Sequence, residues 1–330
     1  MGQVAAVTGA TGFLGGHLCE RLLAEGWTVR GLCRPSSDRR LERPASRSSD
    51  LAEVAWYVGD CFDAATLSSL VDGADVVFHL AGVGLWSADP ETVHRVNREG
   101  TENVLEACRD GDVGRVVFTS TAGTRRTNGS SEFADEDDIA EPIGAYQASK
   151  AAAERLLDDY AATGGDAVTV HPTSIVGPGD DSFTTQLLAM GLEPTMPATL
   201  PGGASIVGVS DVVDGLLAAA ADGERGEHYI LGGENLTYDQ AASRIADYAG
   251  GTAAPVRVPA TAIRAAGPVA EGVRAVTGRQ VFPFDRRMAA LATQRLFYSS
   301  QKANAELGYE YEPLESHLPE TLAWYRDAET

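Results

Sequence analysis

The chain has 330 residues, of which 44% are apolar, so it is long enough to bury a large core without disulfides or a structural metal. Its 47 acidic and 26 basic side chains give a formal net charge of −21, which argues against nucleic acid and anionic membranes as partners. No apolar run approaches the roughly 20 residues that cross a bilayer. The first residues lack the basic segment of a signal peptide, and we expect a cytoplasmic protein.

The basic residues are almost all arginine, since Lys150 and Lys302 are the only lysines. This acidic, lysine-poor composition favours adaptation to high internal salt, where excess carboxylates keep the surface hydrated, over an ordinary acidic enzyme. The cysteines are far apart and include no Cys-x-x-Cys pair, so we expect free thiols in a reducing cytosol rather than disulfides or a zinc site. They are Cys19, Cys33, Cys61 and Cys108.

Short apolar runs alternate with helical segments through the first half of the chain. The runs predict strands at Val4–Val7, Thr28–Cys33, Val54–Val58, Val76–His79, Val116–Thr119 and Ala167–His171. Helices are predicted between them, near residues 13–25, 63–71, 91–110 and 145–163. Continuously apolar strands are typical of parallel strands covered on both faces. The alternation therefore predicts an α/β fold with a doubly wound parallel sheet.

Two polar segments, residues 36–50 and 123–142, are predicted to be surface loops. The second contains four consecutive acids at 135–138, which without accompanying histidines are typical of a solvated face rather than a metal site. After Pro172 the alternation stops, and glycine and proline interrupt residues 177–203. A helix at about 210–222 and a strand at 227–231 then indicate a return to the sheet.

A glycine-rich turn follows the first predicted strand. Gly9, Gly12 and Gly15 lie three residues apart and open the first predicted helix. Without Cβ atoms such a turn can be tight, and a pyrophosphate can approach the free N–H groups at the start of a helix. Gly15 would also let the helix and strand pack closely. In this strand–turn–helix context the spacing predicts dinucleotide binding.

The end of the second predicted strand bears on the choice of dinucleotide. NAD sites usually carry Asp or Glu here for the ribose 2′-hydroxyl, whereas a nearby Arg accommodates a 2′-phosphate. This strand runs into Arg34, Pro35 and Ser36 and has no acid at its end. Arg34 and Ser36 therefore favour NADP, with NAD as the alternative.

Tyr146 and Lys150 are four residues apart in the helix predicted at 145–163, so they share one helical face. A phenol titrates near 10, and bringing its pKa to about 7 requires roughly 4 kcal/mol of preferential phenolate stabilisation, to which a neighbouring ammonium can contribute. The strand at 116–119 ends in the hydroxyls of Thr119, Ser120 and Thr121, and one of the three can hydrogen-bond a substrate oxygen, although spacing alone singles out none of them. These residue types together indicate acid–base chemistry on an alcohol or a carbonyl.

These motifs resemble those of the extended short-chain dehydrogenase/reductase family, in the family's order, over about residues 3–326. The resemblance implies a Rossmann fold in which Thr121, Tyr146 and Lys150 are catalytic and Ser120 is their neighbour. It also implies that Asn97 orders the site and a proton relay. It implies cofactor contacts from Gly9, Thr11, Gly12, Phe13, Leu14, Gly15, Arg34, Asp60, Cys61, Leu80, Ala81, Gly82, Tyr146, Lys150, His171, Pro172 and Ser174.

Within the family, the sequence is most similar to dihydroflavonol-4-reductase-like proteins and the hopanoid-associated sugar epimerases grouped with them. The resemblance lies at residues 85–90, 143–146 and 229–237. Residues 1–176, with 205–235, are expected to form the NAD(P)-binding domain. Residues 177–204 and 236–330 are expected to form a smaller, mostly C-terminal substrate-binding lobe.

The chain departs from the pattern of nucleotide-sugar epimerases, which commonly carry an Asn after the sixth strand and an Arg before a Val-x-Asp segment. Here Ser174 lies near the first location, and residues 202–211 contain no Arg. Because a diphosphate is best held by bidentate guanidinium groups, these departures weigh against a nucleotide sugar. A nucleotide sugar remains an alternative, because arginines of the C-terminal part are available to bind a diphosphate: Arg264, Arg274, Arg279, Arg286 and Arg287.

The favoured function is an NAD(P)-dependent oxidoreductase that interconverts a carbonyl and a secondary alcohol on a small organic substrate, with Tyr146 as acid and base. The alternatives are a nucleotide-sugar epimerase or dehydratase with tightly bound NAD(P), and a non-catalytic NADP-binding sensor. A dimer through the helices at 91–110 and 145–163 is one option and a monomer the other.

Several side chains are candidates for an apolar substrate pocket, although packing in the core or a lid is the favoured role for each: Trp86, Phe183, Met190, Met196 and Phe282–Phe284. Four histidines have no mutual spacing suited to metal ligation, and no metal is expected: His94, His171, His228 and His317.

Overall fold

The computed structural model describes residues 2–37, 49–84, 89–126, 133–180, 199–249, 256–277, 289 and 292–328. Its strands are β1 (Val4–Thr8), β2 (Thr28–Cys33), β3 (Ala55–Val58), β4 (Val76–His79), β5 (Arg115–Thr119), β6 (Ala167–Pro172), β7 (Ser174–Val176), β8 (Gly203–Gly208), β9 (His228–Leu231), β10 (Glu234–Thr237) and β11 (Arg295–Leu296).

Its helices are α1 (Phe13–Ala24), α2 (Ala64–Val71), α3 (Pro90–His94), α4 (Gly100–Asp110), α5 (Ala145–Ala162), α6 (Val209–Asp222), α7 (Tyr238–Ala249), α8 (Ala260–Thr277), α9 (Gln301–Leu307) and α10 (Leu314–Ala328). A π-helical turn, Arg95–Glu99, joins α3 to α4. Short 3-10 turns lie at Pro35–Ser37, Ser49–Glu53 and Ala122–Thr124.

Seven strands form a parallel sheet in the order β3-β2-β1-β4-β5-β6-β9, which confirms the predicted doubly wound α/β fold. The chain moves outward from β1 to β3 and then crosses back to β4. Such a reversal leaves a crevice beyond the carboxyl ends of β1 and β4, where open α/β sheets bind their ligands. The predicted strand at 227–231 is β9, which pairs with β6 at the far edge.

Alternate residues of each strand enter separate cores on the two faces of this sheet. In β1, Ala5 and Val7 pack on one face and Ala6 packs on the other. Apolar side chains of α1, α6 and α9 complete the first core, and those of α2, α4 and α5 complete the second. Fully buried leucines such as Leu18 and Leu157 each contribute about 1.5–3 kcal/mol relative to exposure. The continuous apolar runs of the strands follow from this double coverage.

A smaller sheet lies beyond β6. β8 pairs in parallel with β7 and β11 and antiparallel with β10. Its apolar side chains pack against α7 and α10 in a core of their own, which includes Ile206, Ile245 and Leu318. β7 begins two residues after β6 ends, so the small sheet is attached directly to the large one. The division into a dinucleotide domain and a substrate lobe stays a prediction.

The predicted elements are observed with small shifts of their ends, whereas strands β7 and β8 were not predicted. The helix predicted at 91–110 is helical throughout, but its middle is the π-helical turn. All four cysteines are buried and form no disulfide, as predicted. None of the helices in the described part of the chain is long and apolar enough to cross a membrane.

Candidate active site

The glycine turn between β1 and α1 brings backbone close to backbone. Gly9 has a φ of +73°, and a Cβ there would lie 2.8 Å from the Ala81 nitrogen. A Cβ on Gly15 would lie 2.1 Å from the Gly9 carbonyl oxygen, so α1 could not start this close to the strand with any other residue. Gly12 precedes the helix and puts no side-chain cap on its first N–H groups. The turn therefore fits a pyrophosphate, whose oxygens those groups can bind.

The predicted adenosine contacts lie at the ends of β2 and β3. Arg34, Ser36 and Asp60 are exposed, and Asp60 Oδ1 accepts a hydrogen bond from the Phe62 nitrogen (2.8 Å). Cys61 is buried, and burial raises the pKa of its thiol to about 12, with Asp60 raising it further and Arg34 lowering it. At neutral pH this thiol is neutral and unreactive. Among the described residues at these two strand ends, Arg34 and Asp60 present exposed charged groups to an incoming ligand.

A buried histidine ties β1 and β4 to the helix beyond them. His79 Nδ1 lies 2.6 Å from Thr8 Oγ1, and its Nε2 lies 2.9 Å from Thr101 Oγ1. Thr101 donates its own proton to the Asn97 carbonyl (2.6 Å), so we assign the ring proton to Nε2. Thr8 Oγ1 in turn accepts from the Ala81 nitrogen (3.2 Å). Burial lowers the pKa of His79 to about 3, so the ring stays neutral and fixes the segment Leu80–Gly82.

Asn97 lies in the π-helical turn and is fully bonded. Its Oδ1 accepts from the Val83 nitrogen (2.7 Å), and its Nδ2 donates to the Val83 carbonyl (3.0 Å) and to Ser149 Oγ (2.9 Å). Ser149 donates to the Tyr146 carbonyl (2.8 Å). The side chain thus joins the end of β4 to the first turn of α5. The role in ordering the site and a proton relay that the resemblance implies for Asn97 stays a prediction.

Tyr146 and Thr121 meet at the carboxyl edge of the sheet. Tyr146 is partly exposed on the first turn of α5, and Thr121 directly follows β5. Burial raises the pKa of the phenol, the neighbouring Thr121 hydroxyl lowers it and the Glu154 carboxylate raises it. Phenolate formation therefore depends on additional positive charge.

Lys150 lies one helical turn beyond Tyr146 and is 4% exposed. Its Nζ donates to the Thr119 carbonyl (2.8 Å) and lies 4.8 Å from the centre of the Phe118 ring. Burial lowers the pKa of Lys150 to about 8, while Glu154 raises it. A Cβ on Gly82 would lie 3.3 Å from Nζ, so the loop after β4 also borders this ammonium.

Ser120 has a different partner from Thr121. Its hydroxyl donates to the Glu154 carboxylate in a short hydrogen bond. Glu154 also accepts from Arg125 Nη1 (2.8 Å), and both members of this ion pair are buried. His171 Nδ1 lies 3.7 Å from the same carboxylate. The spacing of motifs in the sequence did not single out Glu154 or Arg125.

His171 and His228 are neighbours because β6 and β9 pair. His171 Nε2 lies 2.8 Å from His228 Nδ1, and His228 Nε2 lies 2.9 Å from Asp158 Oδ1. Burial lowers the pKa of His171 to about 3, with Arg125 and His228 also lowering it and Glu154 raising it. His171 is completely buried, so its side chain belongs to this cluster. A crevice of about 260 Å³ opens to solvent beside His228.

Glu154, His171 and His228 place potential metal-ligand atoms within 4.8 Å of one another, which their separation in sequence did not predict. Arg125 donates to Glu154 and lies 3.1 Å from His228 Nδ1. Its guanidinium already supplies the positive charge that a cation would bring. The expectation that the protein holds no metal stays a prediction.

The remaining predicted residues are placed as follows. Pro172 ends β6 and is buried, and Ser174 begins β7 and is partly buried. Arg264 is exposed, with Nε donating to Thr293 Oγ1 (3.1 Å), and the side chain of Arg274 is not described. The other sequence candidates for the substrate pocket and for diphosphate binding lie outside the described residues: Trp86, Phe183, Met190, Met196, Phe282–Phe284, Arg279, Arg286 and Arg287.

A sheet in this order, a glycine turn at its switch point, and adjacent Thr, Tyr and Lys side chains define an NAD(P)-dependent oxidoreductase of the short-chain type. The chain belongs to the NAD dependent epimerase/dehydratase family, whose model matches residues 5–232. This result agrees with the resemblance seen in the sequence.

Three comparisons place the chain among relatives of similar length. A protein of Synechocystis sp. named "Putative dihydroflavonol 4-reductase" is 32% identical, over 97% of this chain and 94% of the relative. The crystal structure of gox2253 is 31% identical, with a TM-score of 0.85, and the match covers 99% of each chain. The UDP-glucose 4-epimerase of Thermotoga maritima, solved with UDP-glucose, has a TM-score of 0.76 at 20% identity, which indicates a shared fold.

Proposed function

We propose that the protein reduces a carbonyl group of a small organic substrate to a secondary alcohol, or catalyses the reverse oxidation, with NADP as the preferred dinucleotide. The placement of Thr121, Tyr146 and Lys150 carries the proposal, because Thr121 and Tyr146 lie at the carboxyl edge of the sheet with the Lys150 ammonium one helical turn away. The glycine turn lies at the same edge and fits the cofactor's pyrophosphate.

The chain's own groups divide the proton chemistry between them. When bound, the nicotinamide supplies the hydride to the carbonyl carbon, or accepts it in the reverse direction. Tyr146 Oη donates a proton to the substrate oxygen as negative charge develops there, and Thr121 Oγ1 holds that oxygen by a hydrogen bond. Lys150 stabilises the phenolate that remains, against the burial that raises the pKa of Tyr146.

NADP is preferred over NAD because of the charges at the end of β2. Arg34 and Ser36 are exposed beside the predicted adenosine site, and no acid ends this strand. A guanidinium attracts the extra phosphate of NADP, whereas a carboxylate would repel it. The family description and the NAD-bound structural neighbours do not distinguish between the two dinucleotides.

The substrate is proposed to be a ketone or aldehyde rather than a nucleotide sugar. Two relatives above 30% identity that match over at least nine tenths of their length carry reductase names; the second is a ketoreductase of Stigmatella aurantiaca, 31% identical over 92% of this chain. The structural neighbours with sugar nucleotides are 20% to 24% identical and support the fold alone.

The test is Tyr146→Phe, assayed by NADPH oxidation. Useful probe substrates are dihydroflavonols and 2-alkyl-3-oxo acids, which match the names of relatives. Removing the proton donor should lower kcat by about 100- to 10,000-fold, the usual contribution of a positioned acid–base group. NADPH binding, measured by fluorescence titration, should change little. The exposed Tyr311→Phe serves as the matched control and should keep full turnover.

Undiminished turnover in Tyr146→Phe would refute the proposal. Conversion of UDP-glucose without net consumption of NADPH, by protein purified with tightly bound dinucleotide, would instead favour an epimerase.

A further inference from the structure

Helix α5 carries four titratable side chains at intervals of four residues. They are Tyr146, Lys150, Glu154 and Asp158. Residues four apart are neighbours on a helix surface, so these groups form one slanting row, which we call the α5 row. It runs from the catalytic edge of the sheet to the crevice beside His228. The proposed function uses the first two members and leaves Glu154 without a role.

Glu154 is a buried carboxylate that neighbouring side chains bind directly. It is 5% exposed, accepts the Ser120 hydroxyl and pairs with Arg125 at 2.8 Å. On the adjoining strands, His171 lies 3.7 Å away and connects through His228 to Asp158, the last member of the α5 row. Burial raises the pKa of the Glu154 carboxyl, but His171, the Arg125 guanidinium and the Ser120 hydroxyl outweigh it and hold that pKa below its usual value. A negative charge is thus fixed one turn beyond Lys150.

Lys150 is a buried cation. Among the described residues, Glu154 is the one carboxylate that acts on its charge. From β5 it meets the Thr119 carbonyl and the Phe118 ring. From β4 the charged state of His79 is suppressed by burial and by Lys150 itself. Glu154 is therefore the group that opposes the cost of burying this ammonium.

We propose that Glu154 is a positioning residue of the catalytic pair: its carboxylate, held by Ser120 and Arg125, keeps Lys150 in the ammonium form beside Tyr146. The inference rests on the proposed function, in which Lys150 stabilises the phenolate. Arg125 and Ser120 act one step further back, because their contacts with Glu154 favour its ionised form. Burial lowers the pKa of Lys150 to about 8, so loss of the opposing carboxylate would change the charge of this group near neutral pH.

The charge of Lys150 can be observed directly, because the chain contains just two lysines. The full-length protein labelled with ¹³Cε-lysine gives two side-chain signals, and Lys302→Arg identifies which is Lys150. Titrating the chemical shift against pH at constant salt yields the midpoint for Lys150. In Glu154→Gln we expect this midpoint to fall by about one unit or more, since an opposite charge nearby typically shifts a pKa by one to three units.

The matched control is Asp159→Asn, which removes one negative charge from an exposed position of the same helix. Its Lys150 midpoint should equal that of the wild type. Because Glu154→Gln leaves Arg125 without its buried partner, the double variant Glu154→Gln/Arg125→Met provides a second measurement in a protein freed of the whole pair. In both Glu154 variants, the alkaline limb of kcat/KM for carbonyl reduction should move to lower pH with the midpoint.

An unchanged Lys150 midpoint in both Glu154 variants overturns the inference, whatever the turnover. The Tyr146→Phe assay decides the proposed function separately, because it does not depend on the NMR titration. A purely structural Glu154 would lower stability without moving the midpoint, so the titration separates the two roles.

Discussion

Ser120 and Thr121 are adjacent hydroxyls with unrelated partners. Thr121 has an extended backbone (φ −153°, ψ 142°), and successive side chains of an extended chain point to opposite sides. On one side of the chain Ser120 therefore donates a hydrogen bond to Glu154, and on the other side Thr121 lies beside Tyr146. Residue type alone leaves these two hydroxyls equivalent. The resemblance to the family favoured Thr121 as the catalytic hydroxyl, and that role stays a prediction.

Arg34→Ala tests the preference for NADP at the level of one side chain. Losing a charge-assisted hydrogen bond costs about 1.5–3 kcal/mol when the bond is sheltered and less when the group is exposed. Since Arg34 is exposed, we expect NADPH to bind roughly 10-fold more weakly, with NADH affinity unchanged. Calorimetric titration with both dinucleotides measures this. Equal affinities before and after the substitution would remove the argument for NADP.

At the scale of elements, the sequence predicted strands and helices well because each depends on local pattern. Continuous apolar runs indicated the six predicted strands that the structure places in the central sheet. The π-helical turn at Asn97 was not predicted, because the sequence pattern indicates a helix without specifying the hydrogen bonding of a single turn. His171 and His228 are 57 residues apart, and their contact follows from the pairing of β6 with β9. Local spacing holds no information on that pairing.

Neighbouring glycines in α1 test how the first element meets the sheet. A Cβ on Gly15 would come within 2.1 Å of the Gly9 carbonyl oxygen, whereas a Cβ on Gly16 meets nothing within 4 Å. Gly15→Ala should therefore destabilise the protein by about 1–3 kcal/mol through overpacking and weaken dinucleotide binding. Gly16→Ala should stabilise it by up to about 1 kcal/mol, because alanine favours the helix.

Urea unfolding of the two glycine variants, with NADP titrations alongside, measures both effects. Equal stability and equal NADP affinity in the two variants would mean that the close backbone contact at Gly15 does not determine the conformation of the glycine turn.

At the scale of the molecule, buried titratable groups set the response to alkali. Burial raises the pKa of Cys19, Cys61 and Cys108 to about 12, so the folded protein retains protons that the unfolded chain releases from about pH 9. Each buried thiol makes its whole contribution to the free energy of unfolding below pH 9. Above pH 9 that contribution falls by about 1.4 kcal/mol per pH unit. Lys150, with its pKa lowered to about 8, acts in the opposite direction between pH 8 and 10.5.

Three thiols outweigh one lysine, so the free energy of unfolding should fall as the pH rises above 9. Urea titrations at pH 8, 9 and 10 measure this trend. Constant stability over that range would contradict the assigned burial of the thiols.

The net charge of −21 predicts a dependence on salt that no single residue explains. Described arginines such as Arg115 and Arg244 are paired with acids, so the excess carboxylates repel one another across the surface. The Debye length shrinks from about 10 Å at 0.1 M salt to about 3 Å at 1 M, which screens this repulsion. The thermal midpoint should therefore rise steadily with KCl into the molar range. Neutralising three exposed acids, in Asp222→Asn/Glu310→Gln/Glu320→Gln, should raise the midpoint at low salt and flatten its rise with KCl. Equal midpoints at low and multimolar KCl in the unmodified protein would mean that the acidic composition is not an adaptation to salt.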